Sequence, residues 1–211
     1  MVNLQFNANN DHYTAMTEKQ LDAHIVGVIM AQQHGMKKGL QLFGDKVNVA
    51  VQKEIKQIHE LETYEPILVS DLSWEDKKKY LESLLFITEK HNGNIKARKL
   101  ADGSNQRTYN RYEKSDVSSP NVTTDSIFLT GLIDAHEGGA VAILDIANTF
   151  LQAHNDERVL VLLQGKLAEM MVSIDPSLYC NYVTYSAKGI PMMYVRLYKA
   201  LHGVLRAALL F

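Results

Sequence analysis

Ala140-Val141-Ala142-Ile143-Leu144-Asp145-Ile146, continuing into Ala147-Asn148-Thr149-Phe150-Leu151, decides how this chain is read. The first seven residues are the most apolar run in the second half of the sequence. Following Gly138-Gly139, they predict a central strand that ends at Asp145. A carboxylate at the end of an apolar strand must reach solvent, cap a neighbouring backbone or bind a cation, because burying it unpaired is costly. Alone it does not specify a metal site, since magnesium is usually held by one or two carboxylates together with waters and substrate phosphates.

The flanking segments carry their own signals. Thr123 or Thr124 caps a predicted helix reaching about Glu137, with Ile127, Phe128, Leu132 and Ala135 mostly on one side and Gly138-Gly139 as its stop. Residues 159–163 predict a second strand, and residues 182–185 and 192–197 a strand pair around Lys188-Gly189. Residues 199–211 begin a further apolar segment. Towards the N-terminus, Asn92-Gly93 suits the positive backbone angles of a tight turn, so residues 84–88 and 94–100 predict a hairpin. Alternation along its second strand puts Lys96 and Arg98 on one face and Ile95 and Ala97 on the other. Ser73-Trp74-Glu75-Asp76 reads as an N-cap with acids in the first turn of a short helix. Val47, Val51, Ile55 and Ile58 set a helix over residues 46–61, and Leu21, Ile25, Val28 and Ile29 one over residues 18–34, stopped by Gly35. The first 17 residues hold no sustained period and read as a loose tail.

With 211 residues, 46% of them hydrophobic, the chain can bury the core of one or two small domains. Cys180 is the single cysteine, so no internal disulfide exists and a reducing compartment is the simpler expectation. No run approaches the roughly 18 apolar residues that span a bilayer, and residues 1–10 lack a basic-then-apolar leader, which predicts an intracellular chain, cytoplasmic or nuclear. The eight histidines include no His-x-x-x-His pair, and the glycines lack phosphate-loop spacing. A net charge of -2 conceals segregation. Residues 90–114 hold seven Lys or Arg against Asp102 and Glu113, whereas residues 54–76 hold seven acids against Lys56. The plain reading is two solvated faces of opposite sign; the sharper one is a basic nucleic-acid face, with Tyr109 and Tyr112 able to stack on bases.

Several segments, in order, resemble the reverse transcriptase domain of copia-type long-terminal-repeat retroelements. Ala50-Val51-Gln52-Lys53-Glu54-Ile55 with Thr63-Tyr64-Glu65-Pro66 is similar to that family's opening helix and the extended segment after it. The run from Gly93 to Gly103 is similar to the Lys-Ala-Arg-Leu-Val-Ala fingers strand, and Ser119-Pro120-Asn121-Val122 to a Ser-Pro-Thr-Val turn. The strongest match is Asp145-Ile146-Ala147-Asn148-Thr149-Phe150-Leu151, which resembles the first catalytic palm motif, Asp-Val-x-x-Ala-Phe-Leu. The run from Tyr194 to Gly203 resembles the stretch leading into Leu-x-Lys-x-Leu-Tyr-Gly. Residues 47–211 carry the resemblance.

It implies an α+β fold, a partial fingers and palm with an antiparallel palm sheet packed on helices. Residues 1–45 form a poorly assigned tail and helix, 46–122 a fingers-like region and 123–211 a partial palm. It implies that Asp145 and the Ile146 carbonyl ligate Mg2+ during two-metal phosphoryl transfer from a deoxynucleoside triphosphate. Phe150 would lie under the incoming sugar and select against a ribose 2'-hydroxyl; without the resemblance it is a core phenylalanine. Lys96 and Arg98 would meet the triphosphate or template, and Lys99, Arg107, Gly203 and Arg206 the RNA or DNA template-primer. Departures are Asp102 where many relatives have Arg, His202 for the tyrosine of Leu-Tyr-Gly, and Leu205-Arg206-Ala207-Ala208 for Lys-Gln-Ala-Pro. The chain contains no Tyr-x-Asp-Asp, the family's source of the remaining metal carboxylates, and no thumb or ribonuclease H region. The expectation is therefore a truncated RNA-directed DNA polymerase, inactive alone. The alternatives are a non-catalytic nucleic-acid-binding remnant that uses the basic hairpin, and a decayed reading frame.

Overall fold

The computed structural model describes residues 3–6, 13–16, 33–90, 92–109, 112–119 and 121–211. The fold is mixed α+β with a mixed sheet. In chain order the strands are β1 (Asn3–Phe6), β2 (Tyr13–Met16), β3 (His34–Gly35), β4 (Tyr64–Ile67), β5 (Leu81–Glu89), β6 (Ile95–Ala101), β7 (Leu160–Gln164), β8 (Thr184–Tyr185) and β9 (Pro191–Leu197). The helices are α1 (Met36–Phe43), α2 (Asp45–Glu60), α3 (Asp76–Lys79), α4 (Gln106–Tyr109), α5 (Lys114–Val117), α6 (Thr124–Glu137), α7 (Lys166–Ile174), α8 (Pro176–Tyr179) and α9 (Ala207–Leu210). The chain divides into two compact units, Met1–Val51 with Leu85–Arg98, and Gln52–Leu84 with Lys99–Phe211.

In the first unit, β1 and β2 pair antiparallel from Asn3↔Met16 to Phe6↔Tyr13, where the sequence predicted a loose tail. The helix predicted over residues 18–34 lies almost wholly outside the described residues. β3 pairs antiparallel with the far half of β5, His34 opposite Ile87. Gly39 of α1 meets Ile87 so closely that an added Cβ would stand 2.9 Å from its Cγ1. β5 and β6 form the predicted hairpin. Gly93 takes φ 75° at its turn, and the Lys90 N–H donates to the Asn94 carbonyl at 2.9 Å.

α2 occupies nearly the predicted span, and Val47, Val51, Ile55 and Ile58 are all buried, as their three- and four-residue spacing requires. Ser73 and Asp76 cap α3 reciprocally: the Asp76 N–H donates to Ser73 Oγ at 3.0 Å and the Ser73 N–H to Asp76 Oδ2 at 3.1 Å. The second unit is built around β7. That strand pairs parallel with the start of β5 (Leu81↔Val161) and antiparallel with β9 (Val161↔Val195), while β9 also carries β4 (Tyr64↔Leu197) and β8 (Thr184↔Met192). The parallel pair is a departure from the antiparallel sheet expected. Leu72, Leu160, Leu162 and Tyr194 make a buried cluster on one face, with the Tyr80 ring edge-on to Tyr194 at 5.5 Å. Helix α7 packs on β7 and β9 and buries Leu167, Ala168, Met170 and Met171.

The central strand is therefore residues 160–164, and the expectation for residues 140–146 is corrected. Ala140–Ile146 forms no regular structure, and Ile143 and Leu144 are 95% and 89% exposed. Both ladder sides of β7 are taken, by β5 and β9, so the competing apolar run has no place beside it. α6 does form as predicted: Thr123 Oγ1 accepts from the Ser126 N–H at 3.2 Å and Gly138 closes the end in the left-handed conformation. Ile127, Phe128, Leu129, Leu132 and Ile133, however, are 47–69% exposed. No helix among the described residues is long and apolar enough to cross a membrane.

Candidate functional site

Asp145 stands on the exposed irregular run in the second unit, and its carboxylate makes no hydrogen bond or ion pair with any described residue. The chain then folds back. Asn148 adopts the left-handed conformation (φ 54°), Thr149 Oγ1 donates to the Ile146 carbonyl at 2.6 Å, and residues 149–152 form a 3-10 turn. Leu151 is buried beneath it, and the Phe150 ring stands edge-on to the His202 ring, 4.4 Å between centroids at 79°. Of the two candidate magnesium ligands, then, Asp145 is an open carboxylate and Ile146 offers a carbonyl already accepting one hydrogen bond. Among the described residues, no three His, Cys, Asp or Glu side chains gather to hold a metal.

The basic residues divide. Lys96 and Arg98 are exposed on β6 in the first unit, with Ala97 buried between them, and neither pairs with a described acid. Arg107 is exposed on α4. Lys99 is 2% exposed, so it does not lie on that basic face. Its N–H donates to Glu54 Oε1 at 3.0 Å and its Nζ to the Leu100 carbonyl at 3.1 Å. Burial pushes its ammonium down to about 7, opposed by the Glu54 charge. Period two along the strand already groups Lys99 with Ala97 and Ala101, which is the signal that could have found it.

Arg206 is committed within the protein. Its guanidinium reaches Asp156 Oδ1 at 2.8 Å, Glu157 Oε1 at 3.1 Å and the Asp116 carbonyl at 3.3 Å, and Glu157 also accepts from the Tyr112 hydroxyl. Gly203 has a steric role: at φ 91°, an added Cβ would lie 2.0 Å from the Ala101 carbonyl oxygen. The Ala101 N–H donates to the His202 carbonyl at 2.9 Å, so the end of β6 and the His202-Gly203 turn meet backbone to backbone.

A buried polar cluster escaped the sequence reading. Tyr64 and Thr63 are buried, and neither hydroxyl has a hydrogen-bond partner among the described residues. Burial, and after it Glu54 and Tyr179, hold the Tyr64 phenol well above its usual range. The Tyr179 hydroxyl pairs with His59 Nδ1 at 2.9 Å, and burial with Asp175 nearby pushes it up to about 12. Elsewhere the Arg158 fork grips both Asp76 oxygens at 3.3 Å and keeps that carboxyl below the usual range.

Comparison with protein-family models, curated proteins and solved structures gave no match.

Proposed function

We propose that this chain is the fingers and early palm of an RNA-directed DNA polymerase of copia type, binding template-primer and deoxynucleotide in the intact enzyme and inactive by itself. What supports the reading is convergence. Three segments that carry the resemblance, far apart in the chain, come together: the end of β6 at Ala101, Phe150, and His202-Gly203. Asp145 lies five residues before Phe150, with its carboxylate open to solvent. Bound between such a carboxylate and its partners, magnesium supplies charge neutralisation for in-line phosphoryl transfer. This chain provides one carboxylate and no Tyr-x-Asp-Asp, so the remaining ligands must come from elsewhere. Its own residues would bind and orient: Lys96 and Arg98 as cations towards phosphate, Phe150 as a bulky ring beside the sugar.

The test has two parts. Primer extension with magnesium and residues 1–211 should give no product; robust synthesis would overturn the claim of inactivity. Deoxynucleotide binding that needs magnesium and is lost in Asp145→Asn supports a half-formed palm, whereas indifference to that substitution removes the polymerase reading.

A second reading has its own observation. Lys96 and Arg98 are exposed and unpaired among the described residues, so the hairpin alone can bind nucleic acid non-specifically. Binding that falls steeply with salt, is lost in Lys96→Ala with Arg98→Ala, and is unchanged by Asp145→Asn favours this version.

A further inference from the structure

We propose that the chain binds a second copy of itself through α6 and the irregular run after it, residues 140–146, forming a closed two-fold dimer. The five large apolar side chains of α6 spread over about two-thirds of the helix circumference at 100° per residue, and a helix apolar that far round belongs in an interior. In the run that follows, Val141, Ile143, Leu144 and Ile146 are 53–95% exposed, and their backbone joins no ladder. With about 200 Å² as the full surface of one large apolar residue, these nine side chains present on the order of 1,000 Å² to water. That sum exceeds the few hundred Å² of the largest contiguous apolar patch on an ordinary soluble monomer. It is enough for the roughly 800 Å² that each partner contributes to a specific interface.

A second copy fits better than an unrelated partner because it brings the same surplus in equal amount. An isologous contact uses the patch on both sides at once, so association closes at two. Residues 140–146 are also suited to pair with their own twin. Antiparallel pairing centred on Ile143 gives the backbone N–H and C=O of alternate residues a partner and sets Asp145, the single charge in the run, opposite Val141 of the other copy. The two carboxylates then lie at opposite ends of the pair.

Sedimentation equilibrium on the full chain, without magnesium or nucleotide, decides the matter independently of the polymerase reading. Over about 1 to 100 µM, the wild-type mass should approach twice 23.8 kDa. Phe128→Glu with Leu132→Glu, and separately Ile143→Lys with Leu144→Lys, should each return the mass of one chain while leaving the far-ultraviolet circular dichroism unchanged. A wild-type mass of one chain throughout overturns the proposal, and so does growth beyond two copies. Either variant remaining dimeric, or losing its fold, overturns it too, since unfolding would mean that those side chains pack within the chain. A monomer that floats with phosphatidylcholine vesicles would assign the patch to lipid instead.

Discussion

Lys99 shows how far one side chain can depart from its sequence signal. A run of cations invites a nucleic-acid role, yet Lys99 is enclosed while Lys96 and Arg98 face solvent. Its enclosure has a pH signature. Below about 7 the amine is charged in both states, and folding bears the cost of burying an ammonium. Between about 7 and its ordinary 10.5 the unfolded chain holds the extra proton, so stability rises with pH. Above 10.0 the sign reverses, because the Tyr64 and Tyr179 phenols ionise first in the unfolded chain. Urea denaturation across this range should show that rise and fall. Lys99→Met should remove the rise and stabilise the protein at pH 6 by a few kcal/mol. Gly203 is the opposite case, a position where nothing larger fits. Gly203→Ala forces a Cβ onto the Ala101 carbonyl at an unfavourable φ and should cost more than about 2 kcal/mol, measured as a fall in the urea midpoint.

At the scale of elements, the two apolar runs of the second unit competed for one sheet position, and β7 holds it. Leu160, Val161, Leu162 and Leu163 are buried on both faces, so Leu163→Ala should destabilise by about 2 to 5 kcal/mol through transfer loss and a cavity. A loss under about 0.5 kcal/mol in thermal or chemical denaturation would contradict the placement of β7 at the centre. The hairpin of β5 and β6 makes a different prediction. If its exposed cations contact phosphate, Lys96→Ala with Arg98→Ala should lower the slope of log affinity against log salt by about 2 in fluorescence titrations with duplex DNA.

For the whole molecule, division into two units separates Lys96 and Arg98, in the first, from Asp145, Phe150, Gly203 and Arg206, in the second. Substitutions at the two groups therefore fall in different units. Asp145→Asn should leave the unfolding free energy, measured by urea denaturation, within about 0.5 kcal/mol of wild type, since this exposed carboxylate pairs with no described residue.

Local physics alone set α2, the cap of α3, the hairpin at Gly93, both ends of α6 and the β8–β9 turn at Gly189. In each, spacing, capping or a positive φ acts over a few neighbouring residues. The candidate residues Asp145, Phe150, Lys96 and Arg98 were legible too, though only as residue types in a familiar order. Tertiary structure alone decided which apolar run became the central strand, because two runs of similar composition differ only in the partners available to them. It alone buried the Lys99 side chain, set the Lys99 backbone N–H on Glu54 and tied Arg206 to Asp156 and Glu157. Those outcomes depend on contacts between residues distant in the chain, and a pattern read along the chain carries no information about which distant group will be near.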